Sequence, residues 1–208
     1  RDVLGSRGLG DVYKRQLICN AGFGISGAVE FTAYADAKRQ FDVNFFGTSN
    51  CIRAALPEMR RQGSGMIIVT SSVAGMLSIP FQAYYSASKA ALNSLVLATA
   101  NEVRPYGVRV AAIMPGDIKT GFTAARTKSN AGSSDYAALS KSVATMERDE
   151  QNGMSPDVIA RCMYSVSRKR NPKPLRSVGL QYKACCLLGK FLPCRLSNWI
   201  VGKMYASK

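Results

Sequence analysis

Three observations predict an α/β chain with a doubly wound parallel sheet. Short apolar, β-branched runs (Leu17-Ile18-Cys19, Met66 to Val69, Val108 to Met114) alternate with long stretches of helical period. Each run passes directly into polar or turn residues: Asn20-Ala21-Gly22, Thr70-Ser71-Ser72 and Pro115-Gly116. Strands separated by helices of this length pair in parallel and are covered on both faces. Ligands of such sheets sit beyond the C-terminal strand ends, where these three turns fall.

The elements follow in order. After the first strand, a helix is predicted over Ala33 to Met59, with Phe41, Phe45, Ile52 and Leu56 on about one face and Asn44 along it. Arg60 to Gly65 reads as a polar turn, and Met66 to Val69 as a buried strand that delivers Ser72 to its end. A second long helix, Gln82 to about Arg104, carries Tyr85 and Lys89; Gly107 marks its end and Val108 opens the next strand. Ser155 caps a further helix that Pro156 opens and that ends near Arg170-Asn171-Pro172. Leu175 to Leu180 is the expected last strand. No internal repeat is visible.

Tyr85 and Lys89 are four residues apart, one helical turn on the same face. A phenol ordinarily keeps its proton up to about pH 10. A neighbouring ammonium favours the phenolate, so Lys89 is expected to lower that value and let Tyr85 exchange protons near neutrality. Ser72 adds a strand-end hydroxyl thirteen residues earlier. Taken singly, these are a solvated helix face, a strand-end serine, a polar helix residue and a turn. In their joint order and spacing, Asn44, Ser72, Tyr85-x-x-x-Lys89, the Asn20-Ala21-Gly22 turn and Pro115-Gly116-Asp117-Ile118-Lys119-Thr120 resemble the short-chain dehydrogenase/reductase family. Ser72 to Phe81 is most similar to its hydroxysteroid and retinol dehydrogenase branch. The resemblance is good from Leu17 to about Thr120 and loose in the tail.

The resemblance implies a Rossmann-like fold, an NAD or NADP cofactor and reversible hydride transfer between an alcohol and a carbonyl compound. It implies Asn44, Ser72, Tyr85 and Lys89 as the catalytic tetrad, with Asn44 holding a water that links Lys89 to solvent. Asn20, Ala21, Gly22, Tyr85, Lys89, Pro115, Gly116, Ile118 and Thr120 would contact the cofactor. Residues 121–155 would form a variable substrate lid, and the two long helices would pair copies into a homodimer or homotetramer. The expected substrate is a small hydrophobic alcohol or ketone. The alternatives are a 3-oxoacyl-carrier-protein reductase and a non-catalytic, dinucleotide-binding or membrane-associated remnant.

The start of the chain departs from that pattern. Ser6 to Gln16 match, letter for letter, one translated frame of a transposase-based sequencing adapter, so residues 1–16 are expected to be non-native and are set aside. Gly5-Ser6-Arg7-Gly8-Leu9-Gly10 is rejected as a phosphate loop, because no strand precedes it and no helix follows. The family's first β-α-β-α-β portion, roughly 60–90 residues at about 30 or more per unit, is expected to be missing. Without the sheet centre, Leu17 to Cys19 would present a bare apolar edge, and the chain alone is expected to be inactive.

Composition excludes other chemistries. The chain has 208 residues and no histidine, and none of its six cysteines forms a C-x-x-C pair, so neither a zinc site nor a Ser-His-Asp hydrolase is expected. No apolar run reaches the ~18 residues of a membrane span, and a cytoplasmic protein is expected. The net charge is +15, of which residues 1–16 contribute +2. From Arg161 to Lys208 there are eleven basic residues and no acidic one, interleaved with Leu187, Leu188, Phe191, Leu192, Leu196, Trp199, Ile200 and Met204. This basic amphipathic tail, residues 181–208, has two readings: peripheral contact with an anionic membrane, or packing over the cleft or a partner subunit. No recognition motif supports nucleic acid binding.

Overall fold

The computed structural model describes residues 15–129 and 134–206. Gly5 to Gly10 lie outside the described residues, as does most of the segment set aside as non-native. The order is β1 (Gln16–Cys19), β2 (Ile25–Ser26), α1 (Tyr34–Phe41), a π-helical segment (Asp42–Gly47), α2 (Thr48–Arg61), β3 (Gly65–Thr70) and α3 (Ala83–Glu102). It continues with β4 (Val108–Met114), α4 (Phe122–Ala125), β5 (Thr127–Lys128), α5 (Leu139–Gln151), α6 (Pro156–Ser167), β6 (Leu175–Ser177), α7 (Leu180–Phe191) and α8 (Cys194–Tyr205).

Consecutive residues of β3 point to opposite faces, and both faces are buried because both are apolar. Ile67 and Val69 join Ile52 and Met59 of α2 and Leu92 and Val96 of α3 on one face. Met66 and Ile68 join Ile159 and Val166 of α6 on the other. The sheet is parallel in the order β1-β3-β4-β6, with Ile67 opposite Leu17 and Val110, and Ala112 opposite Leu175. The doubly wound parallel sheet expected from the sequence is therefore present. Among the described residues β1 is an edge strand, with Ile18 51% exposed.

Several boundaries differ from expectation. β1 begins at Gln16, and Arg15 O accepts from the Met66 amide (2.9 Å), since a ladder needs only backbone. The single helix expected over Ala33 to Met59 is α1 and α2 joined by the π-helical segment that carries Asn44. The helix opened by Pro156 stops at Ser167, and the last strand stops at Ser177. Gly179, at φ 88, then turns the chain into α7. The expected lid holds α4, β5 and α5, and β5 pairs in parallel with β2. The tail folds as two helices rather than one run.

Candidate active site

β3 and β4 end side by side and stay laced beyond the ladder. The Ser71 amide donates to Ile113 O (2.8 Å) and the Val73 amide to Pro115 O (2.9 Å). This fixes Ser72 beside Pro115. Ser72 Oγ accepts from the Ala74 amide (3.1 Å) and caps a short 3-10 turn, Val73–Gly75. That turn lies on α3: a Cβ at Gly75 would stand 2.8 Å from Lys89 O, so only glycine permits the approach. Ser71 Oγ also donates to Lys89 O (3.2 Å). The hydroxyl loop and the Tyr85–Lys89 turn are thus held together by backbone contacts.

These ends enclose a cavity of about 440 Å³. Of the residues expected at the site, Asn20, Gly22, Ser72, Tyr85, Lys89, Pro115, Gly116, Ile118 and Thr120 line it. Ala21 does not; it is exposed beside the cavity. Asn44 is fully buried behind it. Its Oδ1 accepts from the Phe23 amide (3.0 Å), and its Nδ2 donates to Phe23 O (3.0 Å) and Ser88 Oγ (3.1 Å). Asn44 therefore clamps the loop after β1. A Cβ at Gly22 would stand 3.1 Å from Asn44 Oδ1 and 3.5 Å from Lys89 Nζ, so both groups converge on that glycine.

Lys89 is 4% exposed, and its ammonium donates to Thr70 O (2.8 Å). Burial pulls its pKa down to about 8. Tyr85 corrects the sequence expectation: burial pushes its phenol up to about 12. A hydrogen bond from Ser72 acts the other way, as does the charge of Arg126, while Glu150 and Asp117 add to the rise. Desolvation sets the direction; the Lys89 ammonium, directed to Thr70 O and 5.7 Å from the Tyr85 ring centre, does not reverse it.

Sequence reasoning did not single out Phe122, Arg126 or Glu150, which build one wall of the cavity. Phe122 packs on Tyr85 with ring centres 5.7 Å apart, and Glu150 and Asp117 also face the cavity. Arg126, its side chain wholly buried, pairs with Glu150, whose Oε2 accepts from Thr123 Oγ1 (2.6 Å). Asp117 Oδ2 accepts from Tyr182 OH (2.6 Å), and the Tyr182 ring lies over Gly116. Asp117 was already inside the turn singled out from sequence; a carboxylate next to Pro115-Gly116 was the available signal.

Residues 15–131 match the short chain dehydrogenase family. The chain belongs to that family. Over 208 positions it is 37% identical to a 3-ketodihydrosphingosine reductase of Bacteroides thetaiotaomicron, covering 98% of this chain and 76% of that protein. Human 17-beta-hydroxysteroid dehydrogenase type 1 is 41% identical over 106 residues, 51% of this chain and 32% of that protein. Among solved structures, a short-chain dehydrogenase from Streptomyces avermitilis superposes with a TM-score of 0.79 at 28% identity, over 97% of this chain and 74% of that one. A Burkholderia phymatum family member in complex with NAD gives 0.71 at 26% identity, over 85% and 64%. The family is one of oxidoreductases, and the sheet, helices and polar strand ends described above are its fold.

Proposed function

We propose that the protein interconverts a hydrophobic ketone and its secondary alcohol with NAD or NADP. The observation that carries this is the convergence of Ser72, Tyr85 and Lys89 with Pro115-Gly116 on one cavity. The residues fit the nicotinamide end of such a cofactor. An ammonium has three donors, and Thr70 O takes one from Lys89, leaving donors for a ribose diol. Gly22 and Pro115 offer no bulky side chain against a flat ring, and the Tyr182 ring backs Gly116. Ile118 and Thr120 line the same cavity and would meet the cofactor's amide or the neighbouring phosphate.

When bound, the nicotinamide supplies or accepts the hydride at carbon. Everything else falls to this chain. The Tyr85 phenol, protonated at neutral pH, gives its proton to the carbonyl oxygen in reduction and recovers one in oxidation. Ser72 Oγ accepts from the Ala74 amide and its O–H is directed at Tyr85, from which it would turn to the substrate oxygen and steady charge there. Lys89 holds the ribose and, while charged, stabilises the phenolate that proton transfer leaves. Asn44 keeps the loop after β1 in place beside Lys89 and would hold the water that the family places there.

Val73, Ala74, Ile79, Phe122 and Ala125 give the cavity an apolar wall, while Asp117 and Glu150 give it a polar end. This suits a lipophilic ketone with a polar head, in keeping with the sphingoid and steroid names of the relatives. A second reading, reduction of a 3-oxoacyl group on an acidic carrier, is favoured by the eleven basic residues between Arg161 and Lys208. Pairing of copies would use the helical stretch from α1 to α2 and α3, where Phe46 of the π-helical segment and Ala87, Ala90, Ser94 and Leu97 of α3 are exposed.

The test assays the protein for NADH and NADPH oxidation with long-chain ketones and 3-oxoacyl thioesters. Tyr85→Phe should lose about 10²–10⁴ in kcat while dinucleotide affinity stays unchanged. Turnover that persists in this variant refutes the mechanism.

A further inference from the structure

We propose that α7 and α8 together form a docking face for an anionic lipid bilayer. α7 is apolar on the side turned away from the protein. Leu180, Ala184, Leu187 and Phe191 follow one another at helical spacing, and Leu180 and Phe191 are 85% and 80% exposed. The opposite side faces inward: Cys186 is buried, Tyr182 lies over Gly116, and a Cβ at Gly189 would stand 3.1 Å from Leu77 Cδ2. α8 repeats the arrangement. Val201 is buried, while Leu196, Trp199 (60% exposed), Ile200 and Met204 are turned out. Large apolar side chains exposed along two consecutive helices mark an interaction surface, unlike single exposed leucines.

Charge decides what covers the face. Leu180 to Tyr205 contains Lys183, Lys190, Arg195 and Lys203 and no acidic residue. At 100° per residue, Lys183 and Lys190 flank one edge of the α7 apolar stripe. Lys203 lies over the Trp199 ring at 5.8 Å, a pairing that suits the boundary between headgroups and acyl chains. A second copy of the chain would bring two identical basic faces together with nothing to neutralise them. Acidic headgroups meet the same face with opposite charge and with hydrocarbon beneath. Each helix has 12 residues, a length of about 18 Å at ~1.5 Å per residue, against a hydrocarbon core of ~30 Å. The geometry is therefore that of helices lying on a membrane.

The face adjoins the cavity. α7 turns its outer side to lipid, and its inner side touches Gly116 on the cavity floor and Leu77 next to the loop ending in Ile79. A lipophilic substrate leaving the bilayer would need to travel only the width of that helix. This last step rests on the oxidoreductase reading; the docking face itself does not.

The test is flotation of the full chain with vesicles of phosphatidylcholine alone and of phosphatidylcholine mixed with phosphatidylglycerol, read as bound protein without any turnover assay. The chain is expected to float with the mixed vesicles, and added salt should release it. Lys183→Ala with Lys190→Ala should weaken binding about fivefold per charge removed. Phe191→Asp should abolish it; the site is exposed, so the unfolding midpoint should not move. Failure to float with either vesicle overturns the proposal, as does binding indifferent to both variants. Dissociation of an oligomer by Phe191→Asp, with no vesicle binding in the parent, would assign the face to a second copy instead. None of these outcomes bears on whether Tyr85 transfers protons.

Discussion

Replacing Lys89 with methionine should make the protein inactive and, near neutral pH, relieve it of a buried charge. Burial takes the Lys89 ammonium from the ordinary lysine value of 10.5 to about 8. At ~1.4 kcal/mol per tenfold change, that is about 3 kcal/mol by which the folded state disfavours the cation. The sign follows from linkage. The folded-state pKa is the lower one, so between about 8 and 10.5 the unfolded chain binds more protons, and stability rises with pH across that window. The cost is fully present below pH 8 and gone above 10.5. Methionine cannot donate to Thr70 O, and losing the 2.8 Å bond costs about 1–3 kcal/mol at any pH. The absolute stability of the variant therefore reflects two opposing effects, but the pH-dependent part reflects only the ionisation. Between pH 7 and 10 the wild type should gain on Lys89→Met by about 2.5 kcal/mol. With a slope of ~2 kcal/mol/M, this appears as a change of about 1 M in the difference between their urea midpoints. The phenols of Tyr182 and Tyr205, pushed up to about 12, are present in both proteins and cancel in that difference. A midpoint difference that stays constant with pH would mean that Lys89 is not a desolvated ammonium, and the electrostatic account of the site would fall.

Other perturbations test separate parts of the argument. Ser72→Ala should lower kcat about 10²–10³-fold with dinucleotide affinity preserved, since its hydroxyl is assigned to the substrate oxygen; steady-state kinetics with a fluorescence titration separates the two. Arg126→Leu leaves Glu150 buried without its cation and should cost about 3–5 kcal/mol in urea denaturation. The double replacement Arg126→Leu with Glu150→Leu should recover most of that loss. Gly107 has φ 72, and a Cβ there would stand 2.2 Å from Gly63 O. Gly107→Ala should therefore lose more than the ~1–2 kcal/mol of a left-handed residue, seen as a lower melting temperature with KM unchanged.

What was legible in the sequence was local. Tyr85 and Lys89 share a helical face because one turn separates them, and Ser72 and Pro115 reach one end of the sheet because each follows an apolar strand. The same logic located α3, β3 and β4 within a few residues. It missed the π-helical segment at Asn44, where the pattern of Phe41, Phe45 and Ile52 reads as continuous helix. It also missed β2, β5 and the split of the tail into two helices, since two-residue strands and a helix break at Pro193 leave little periodic signal.

The sequence by itself determined the parallel α/β class, the strand ends that line the cavity and, through the family resemblance, the four residues proposed to act there. Tertiary structure alone decided the electrostatics and the wall of the cavity. Tyr85 is raised rather than lowered because desolvation is a property of everything packed around it, and Lys89 is turned to Thr70 O. Arg126 meets Glu150 across 24 residues, and Tyr182 meets Asp117 across 65. Such pairs follow no repeat along the chain. They arise where residues 121–155 and the C-terminal helices pack over the sheet, and only that packing sets which charges are buried and which faces stay open.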